Sequence, residues 1–289
     1  MTTGAVLAGG VSLRFGRLKQ FYPIDGEPLI HRVARILAGV ADDIVVVASP
    51  SLAPYLRDTR YRIIVDDMSL PCSGPLRALA TLDASLDEYV YAPVDAAWLT
   101  ARGARALRDL CRENPWGLST PVLGGGVMPM LFGCKGRGET PFLDACIETG
   151  WWGRPSHGYR ASERLLIAGT VHMGVNPLEY ETLNNPGLLA EPPRVEPGEG
   201  VHRLSPRSLF LDHVRALKRG DPSGAYLAFR REVEEYLGRG IRSLTVHTYK
   251  DICLHAPRLG LHGVVDCSMA RKGRRRIYPG AAGKFTSLF

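Results

Sequence analysis

The feature that most constrains this chain lies at its start, where Gly4-Ala5-Val6-Leu7-Ala8 runs straight into Gly9-Gly10. An apolar stretch without polar alternation reads as a strand buried on both faces, the kind found in parallel sheets. Adjacent glycines at its end let backbone N–H groups approach a ligand closely. Ser12, Arg14 and Lys19 follow, with Gly16 between the cations. A strand leading into a cationic glycine loop is how an α/β protein meets phosphate. The plainer alternative is a strand-to-loop junction with two solvated basic side chains. The glycines, the cations and their position after the first strand all agree with the phosphate geometry. The loop lacks the Gly-Lys-Ser/Thr of a P-loop, and its glycines are adjacent rather than spaced as in G-x-G-x-x-G.

The rest of the first half repeats a strand–helix rhythm. Pro28 is placed to open a helix whose apolar face is Leu29, Ile30, Val33, Ile36 and Leu37, closed by Gly39. Ile44 to Val47 and Ile63 to Val65 read as strands, the latter ending in Asp66-Asp67. Ser73-Gly74-Pro75 begins a helix through Leu76, Leu79 and Leu82, and Tyr89 to Val94 is a strand ending in Asp95. Thr100 caps a further helix. Leu118 to Val122 and Met128 to Cys134 are expected as strands around the glycines 124–126, followed by a helix over 139–149 with Phe142, Leu143, Cys146 and Ile147 inward. Such alternation predicts an α/β fold with a mostly parallel sheet and helices on both faces. Ligands then bind beyond the carboxyl ends of the strands.

Composition narrows the class. Of 289 residues, 45% are hydrophobic and 22% charged, ordinary for a globular chain. No apolar run approaches the roughly 18 residues that span a bilayer, so no membrane association is expected. No basic segment followed by an apolar core marks a secretion leader, so the expected location is cytoplasmic. The formal charge of +7 suits polyanionic ligands. Part of it comes from the run 271–276, which lacks aromatic interleaving and is read as solvated rather than as a nucleic-acid site. The six cysteines show no C-x-x-C and no zinc spacing. Reduced thiols are expected in a cytoplasmic enzyme, disulfides fitting only a hyperthermophilic source. Composition shifts near 185, giving a first domain over 1–187, a Pro/Gly-rich linker over 188–204, and a smaller, partly helical region over 205–289.

Asp95 stands where α/β enzymes hold a hard cation against phosphate, with a helix-capping aspartate as the alternative. Asp67 offers an acceptor for a ribose hydroxyl or support for the metal, or is a turn aspartate. Asn176 ahead of Pro177 offers a neutral oxygen ligand or a phosphate donor, or is a turn residue. Arg14 and Lys19 would neutralise charge leaving as pyrophosphate. His31 and the other histidines lack a partner pattern, and Met128 and Met130 read as strand packing.

The segment Leu7 to Lys19 closely resembles the signature of the molybdenum cofactor guanylyltransferase family. Gly26-Glu27-Pro28-Leu29-Ile30, Asp67 followed seven residues later by Gly74-Pro75-Leu76, Asp95, Met128-Pro129-Met130-Leu131 and Val175-Asn176-Pro177 are similar to later family segments, in the family's order over residues 3–184. The resemblance implies a Rossmann-like, nucleotide-diphospho-sugar-transferase fold and transfer of GMP from GTP to the phosphate of molybdopterin, with Mg2+ and release of pyrophosphate. It implies nucleotide binding by Leu7, Ala8, Gly9, Gly10, Ser12, Arg14, Lys19, Asp67, Gly74, Pro75 and Leu76, catalysis by Arg14, Lys19 and Asp95, and metal ligation by Asp95 and Asn176. By family analogy Gly9-Gly10 favours GTP over CTP.

Four positions depart from the family pattern. Leu18 replaces an acidic residue before the lysine. Ala96-Ala97-Trp98 replaces an apolar-proline continuation after the metal aspartate. Asn176-Pro177 lacks the threonine and second asparagine common there. Ala48-Ser49 stands where an asparagine sits beside the base. Two other readings therefore stay open. One is the same chemistry on a sugar phosphate or cobinamide phosphate. The other is a catalytically silent nucleotide-binding regulator.

Overall fold

The computed structural model describes residues 1–9, 18–57, 59–261 and 263–267. Gly10, Ser12 and Arg14, and the basic run 271–276, lie outside the described residues. The chain divides into two units, Met1–Leu211 and Asp212–Phe289.

The first unit is built on an eight-stranded sheet flanked by helices. Its elements are β1 (Thr3–Gly9), the two-residue pair β2 (Pro23–Ile24) and β3 (Glu27–Pro28), α1 (Leu29–Ala38), β4 (Asp43–Ala48), β5 (Arg62–Val65), α2 (Gly74–Ser85), β6 (Tyr89–Pro93) and α3 (Ala101–Glu113). Then come β7 (Leu118–Val122), β8 (Gly133–Lys135), α4 (Pro141–Thr149), α5 (Pro155–Ala161), β9 (Leu165–Gly169) and β10 (Val201–Leu204), before α6 (Arg207–Arg219). The sheet order is β10-β9-β7-β8-β6-β1-β4-β5, with β8 and β10 antiparallel to their neighbours and the rest parallel. β2 and β3 form a separate hairpin around Asp25-Gly26, both at positive φ (53° and 80°).

The sequence explains why both faces are covered. Side chains alternate across a strand, and Ala5, Val6, Leu7 and Ala8 are all buried. Val6, Ala8, Val46 and Ala92 pack with Ile30, Val33 and Leu37 of α1 and with Ala104 and Leu107 of α3 in one core. On the other face Tyr91 meets Phe142 of α4 edge-on, and its hydroxyl bonds that of Tyr159 in α5 at 2.7 Å. Asp83, buried in α2, accepts from the backbone N–H groups of Phe142 and Leu143 at 2.7 and 3.0 Å and from Tyr89 Oη at 2.6 Å. A carboxylate at a helix N-terminus satisfies donors that have no partner within the helix. Burial raises the Asp83 carboxyl to about 7 despite nearby Lys135.

Several expectations are corrected. The strand expected over Met128 to Cys134 shrinks to β8, whose antiparallel pairing starts only at Gly133 with β6 and at Cys134 with β7. Ile147, expected inward, is exposed, because the inner face of α4 is taken by Phe142, Ala145 and Cys146. Residues 188–204, expected as a linker, belong to the first unit. There β10 pairs with β9, and Gly124 N donates to Glu196 O at 2.8 Å. Pro28 is the N-cap of α1 rather than its first residue. All six cysteines are paired: Cys72–Cys146, Cys111–Cys134 and Cys253–Cys267. Their Cα–Cα distances of 5.1, 5.6 and 5.8 Å fall in the disulfide range. The thiols are therefore not left reduced as expected.

In the second unit α7 (Pro222–Gly238) is capped by Asp221, whose carboxylate accepts from Gly224 N at 2.9 Å. It is followed by α8 (Arg242–Leu259), closed by Gly260 at φ +66°. His213 Nδ1 lies 2.8 Å from Glu232 Oε2 in the buried interior, and Tyr236 Oη donates to Glu232 Oε1 at 3.0 Å. No helix among the described residues is long and apolar enough to cross a membrane.

Candidate active site

From β1 the chain passes to β4 and β5 on one side, and later strands build on the other through β6. The crevice between the carboxyl ends of β1 and β6 is thus the topological switch point, where open α/β sheets bind ligands. Leu7 is level with Pro93, and Val94 N donates to Leu7 O at 3.0 Å, which sets Asp95 beside Ala8 and Gly9. The described chain resumes at Leu18, and Lys19–Phe21 form one 3-10 turn. Gln20, fully buried, anchors that turn by donating Nε2 to Ala8 O at 2.7 Å. Lys19 is thereby turned onto Asp95, with Nζ 2.5 Å from Oδ2. The Asp95 side chain is 7% exposed and that of Lys19 21%. Two further bonds fix the Asp95 backbone, whose carbonyl accepts from Ala97 N and Leu183 N at 2.8 Å each.

A second group lies at the ends of β4 and β5. Gly9 is level with Ala48, and Asp66 N donates to Ala48 O at 2.9 Å. Asp66 Oδ1 is buried with no hydrogen-bond partner, and burial raises its pKa, partly offset by Arg77. Asp67 is exposed. Its N–H donates to Thr81 Oγ1 at 3.0 Å, and its Oδ1 accepts from Ser69 N at 2.8 Å and Ser69 Oγ at 2.6 Å. The Ser69 bonds hold its carboxyl below the ordinary range. Gly74 opens α2 at φ +59°, followed by exposed Pro75 and buried Leu76.

Lys19, Asp95, Leu7, Ala8 and Gly9 are thus brought together, and Asp67 with Gly74, Pro75 and Leu76 frames the neighbouring strand ends. Asn176 is exposed, and its Oδ1 accepts from Leu178 N at 3.0 Å as the cap of a short turn. No hydrogen bond among the described residues joins it to Asp95. Gln20 and Leu183 were not singled out by sequence, and Asp66 only as part of the Asp66-Asp67 strand end. Gln20 carried the one available signal, a long polar side chain next to the phosphate-loop lysine. No three His, Cys, Asp or Glu side chains among the described residues group to hold a metal. One buried carboxylate at the strand-end crevice nonetheless fits a hard cation that takes its other ligands from a bound anion and water. A cavity of about 380 Å³ lined by Arg102, Arg105, Asp109, Glu113 and His172 contains none of these site residues.

A doubly wound sheet with a strand-end glycine, a lysine and an aspartate at its switch point defines a nucleotide-binding α/β protein. Residues 4–153 match the MobA-like NTP transferase domain, and the chain belongs to that family. It is 31% identical over 156 residues to a probable molybdenum cofactor guanylyltransferase of Pyrococcus furiosus, covering 52% of this chain and 76% of the relative. Relatives of the same description are 43% identical over 84 residues in Thermococcus gammatolerans and 32% over 114 in Geobacillus sp. (strain WCH70). These matches span 28% and 38% of this chain, and only 44% and 58% of the relatives' length. The crystal structure of molybdopterin-guanine dinucleotide biosynthesis protein A from Archaeoglobus fulgidus superposes with a TM-score of 0.54 at 16% identity. The superposition covers 65% of this chain and 95% of that one, and shows the fold.

Proposed function

We propose that the protein transfers GMP from GTP to the phosphate of molybdopterin, with Mg2+ as cofactor and pyrophosphate as the leaving group. The observation that carries the reading is the Lys19–Asp95 pair beyond the adjacent ends of β1 and β6. An oxygen of the acceptor phosphate attacks the α-phosphorus in line. The new P–O bond forms as the bridge to the β-phosphorus breaks, and the electron pair leaves on pyrophosphate. Such a reaction needs positioning and charge stabilisation rather than a covalent enzyme intermediate. Lys19, with Arg14 of the glycine loop, balances the charge on the departing phosphates. Asp95 would hold the magnesium, which supplies Lewis-acid neutralisation of phosphate oxygens when bound. We place this chemistry in the first unit, Met1–Leu211, and give the second, Asp212–Phe289, an accessory role.

The test is incubation with GTP, magnesium and molybdopterin, followed by pyrophosphate release and product mass. Sugar phosphate and cobinamide phosphate in the same assay separate the acceptors. No turnover with any nucleoside triphosphate, or an active preparation in which Asp95→Ala keeps full activity, ends this reading of the site.

A further inference from the structure

The lysine assigned to phosphate and the aspartate assigned to the cation are bonded to each other. Lys19 Nζ lies 2.5 Å from Asp95 Oδ2, and the carboxylate is almost sealed from water. We infer that this ion pair excludes a bare divalent cation, so the cation enters only as its complex with a nucleoside triphosphate. The inference rests on the nucleotide reading above.

A cation approaching Asp95 alone finds a carboxylate whose charge is already balanced. It must either displace the ammonium or sit beside it, and at short range in a partly buried site that repulsion is weakly screened. A hydrated divalent ion also gives up water reluctantly. Among the described residues no further carboxylates cluster with Asp95 to compensate. A triphosphate changes the balance. Its oxygens offer Lys19 several anionic acceptors in place of one, and the lysine head moves on a flexible stem. The backbone at both ends stays fixed. Gln20 anchors the Lys19 turn to Ala8, and Ala97 and Leu183 hold the Asp95 carbonyl. Only the lysine side chain needs to swing. As it moves to phosphate, Asp95 is freed for the cation arriving with the same ligand. The two affinities are then coupled and reciprocal, typically by about 5- to 150-fold.

The experiment measures Mn2+ binding to the full chain without nucleotide, from the free-ion electron paramagnetic resonance signal. Lys19→Gln should bind bare Mn2+ at least about tenfold more tightly than wild type. The double variant Lys19→Gln/Asp95→Asn should lose that gain, and Arg105→Gln, which removes a cation elsewhere, should leave affinity unchanged. Circular dichroism verifies folding, and Lys19→Met replaces Lys19→Gln if the latter does not fold. Equal affinity in wild type and Lys19→Gln overturns the inference, as does a gain that survives in the double variant. GTP turnover with unaltered bare-cation affinity overturns this inference alone. Absence of any nucleotide binding, with the Lys19→Gln gain intact, overturns the nucleotide reading and with it entry of the cation as a complex, leaving only the exclusion of the bare cation.

Discussion

Cys72 immediately precedes Ser73, the N-cap of α2, and its partner Cys146 sits on the inner face of α4. Both are fully buried. Their bond closes a loop of sequence separation 74. Replacing both by alanine removes that closure from the unfolded ensemble, and the chain-entropy relation gives a loss of about 4 kcal/mol. For a unit of this size 1 kcal/mol moves the melting temperature by about 2–4 °C, so the shift should be roughly 8–16 °C. Asp83 still holds the other end of α4 to α2, so the fold should survive and melt cooperatively. Differential scanning calorimetry of wild type and Cys72→Ala/Cys146→Ala, without reductant, measures the shift. Intact mass of alkylated wild type counts free thiols. Six alkylated cysteines in protein purified without reductant, or a melting temperature changed by less than about 2 °C, would refute the reasoning.

The remaining predictions address the site and its supports. Asp95→Asn should lower kcat/KM for nucleotidyl transfer by about 10²–10³, the range for removing one electrostatic element of a preorganised site, with the melting temperature little changed; steady-state pyrophosphate release measures it. Asp83→Ala strands Tyr89 Oη and two α4 donors and should cost about 3–5 kcal/mol by urea unfolding. Burial holds the folded Asp83 carboxyl at about 7, above its ordinary 3.8, so folding favours the protonated form. That contribution is full below about pH 4 and is lost as pH rises through about 7, so the gap between wild type and Asp83→Ala should be wider at pH 5.5 than at pH 8. At Gly158→Ala the added Cβ would overlap the Phe142 ring in a closed core, and the expected loss is about 1–3 kcal/mol in the same assay.

The first half of the fold was legible because its signals are local. β1, β4 and β6 are continuous apolar runs, and α1 and α3 carry apolar stripes at helical spacing. Thr100 announces the start of α3, and its hydroxyl accepts from Arg102 N and Gly103 N as an N-cap should. What escaped depends on partners distant in sequence. β10 reads Val-His-Arg-Leu after a Pro/Gly-rich stretch, and only its pairing with β9 makes it a strand. α8 buries Thr245, Thr248 and Asp251 on its inner face and contains Pro257, which breaks the apolar period a sequence reader follows. Two of the three disulfides, Cys72–Cys146 and Cys111–Cys134, join residues that only the packing of α2 on α4 and of α3 on β8 brings together. At the site, the loop motif pointed to Lys19 and the strand end pointed to Asp95. Their direct bond was not legible, because it is set by Gln20 anchoring on Ala8 and by the register of β1 against β6. Asn176 shows the converse, since its place after a strand suggested a ligand while its oxygen caps the next turn.

The central claim is that the β1–β6 crevice activates a nucleoside triphosphate for attack by a phosphorylated acceptor. Its most direct test is pyrophosphate release by the full chain with GTP, magnesium and molybdopterin, run beside Asp95→Asn. Wild type should release pyrophosphate in step with a product one GMP heavier than the acceptor with loss of water, and Asp95→Asn should nearly abolish both. Equal release from both proteins, or pyrophosphate formed without any guanylylated acceptor, would contradict it.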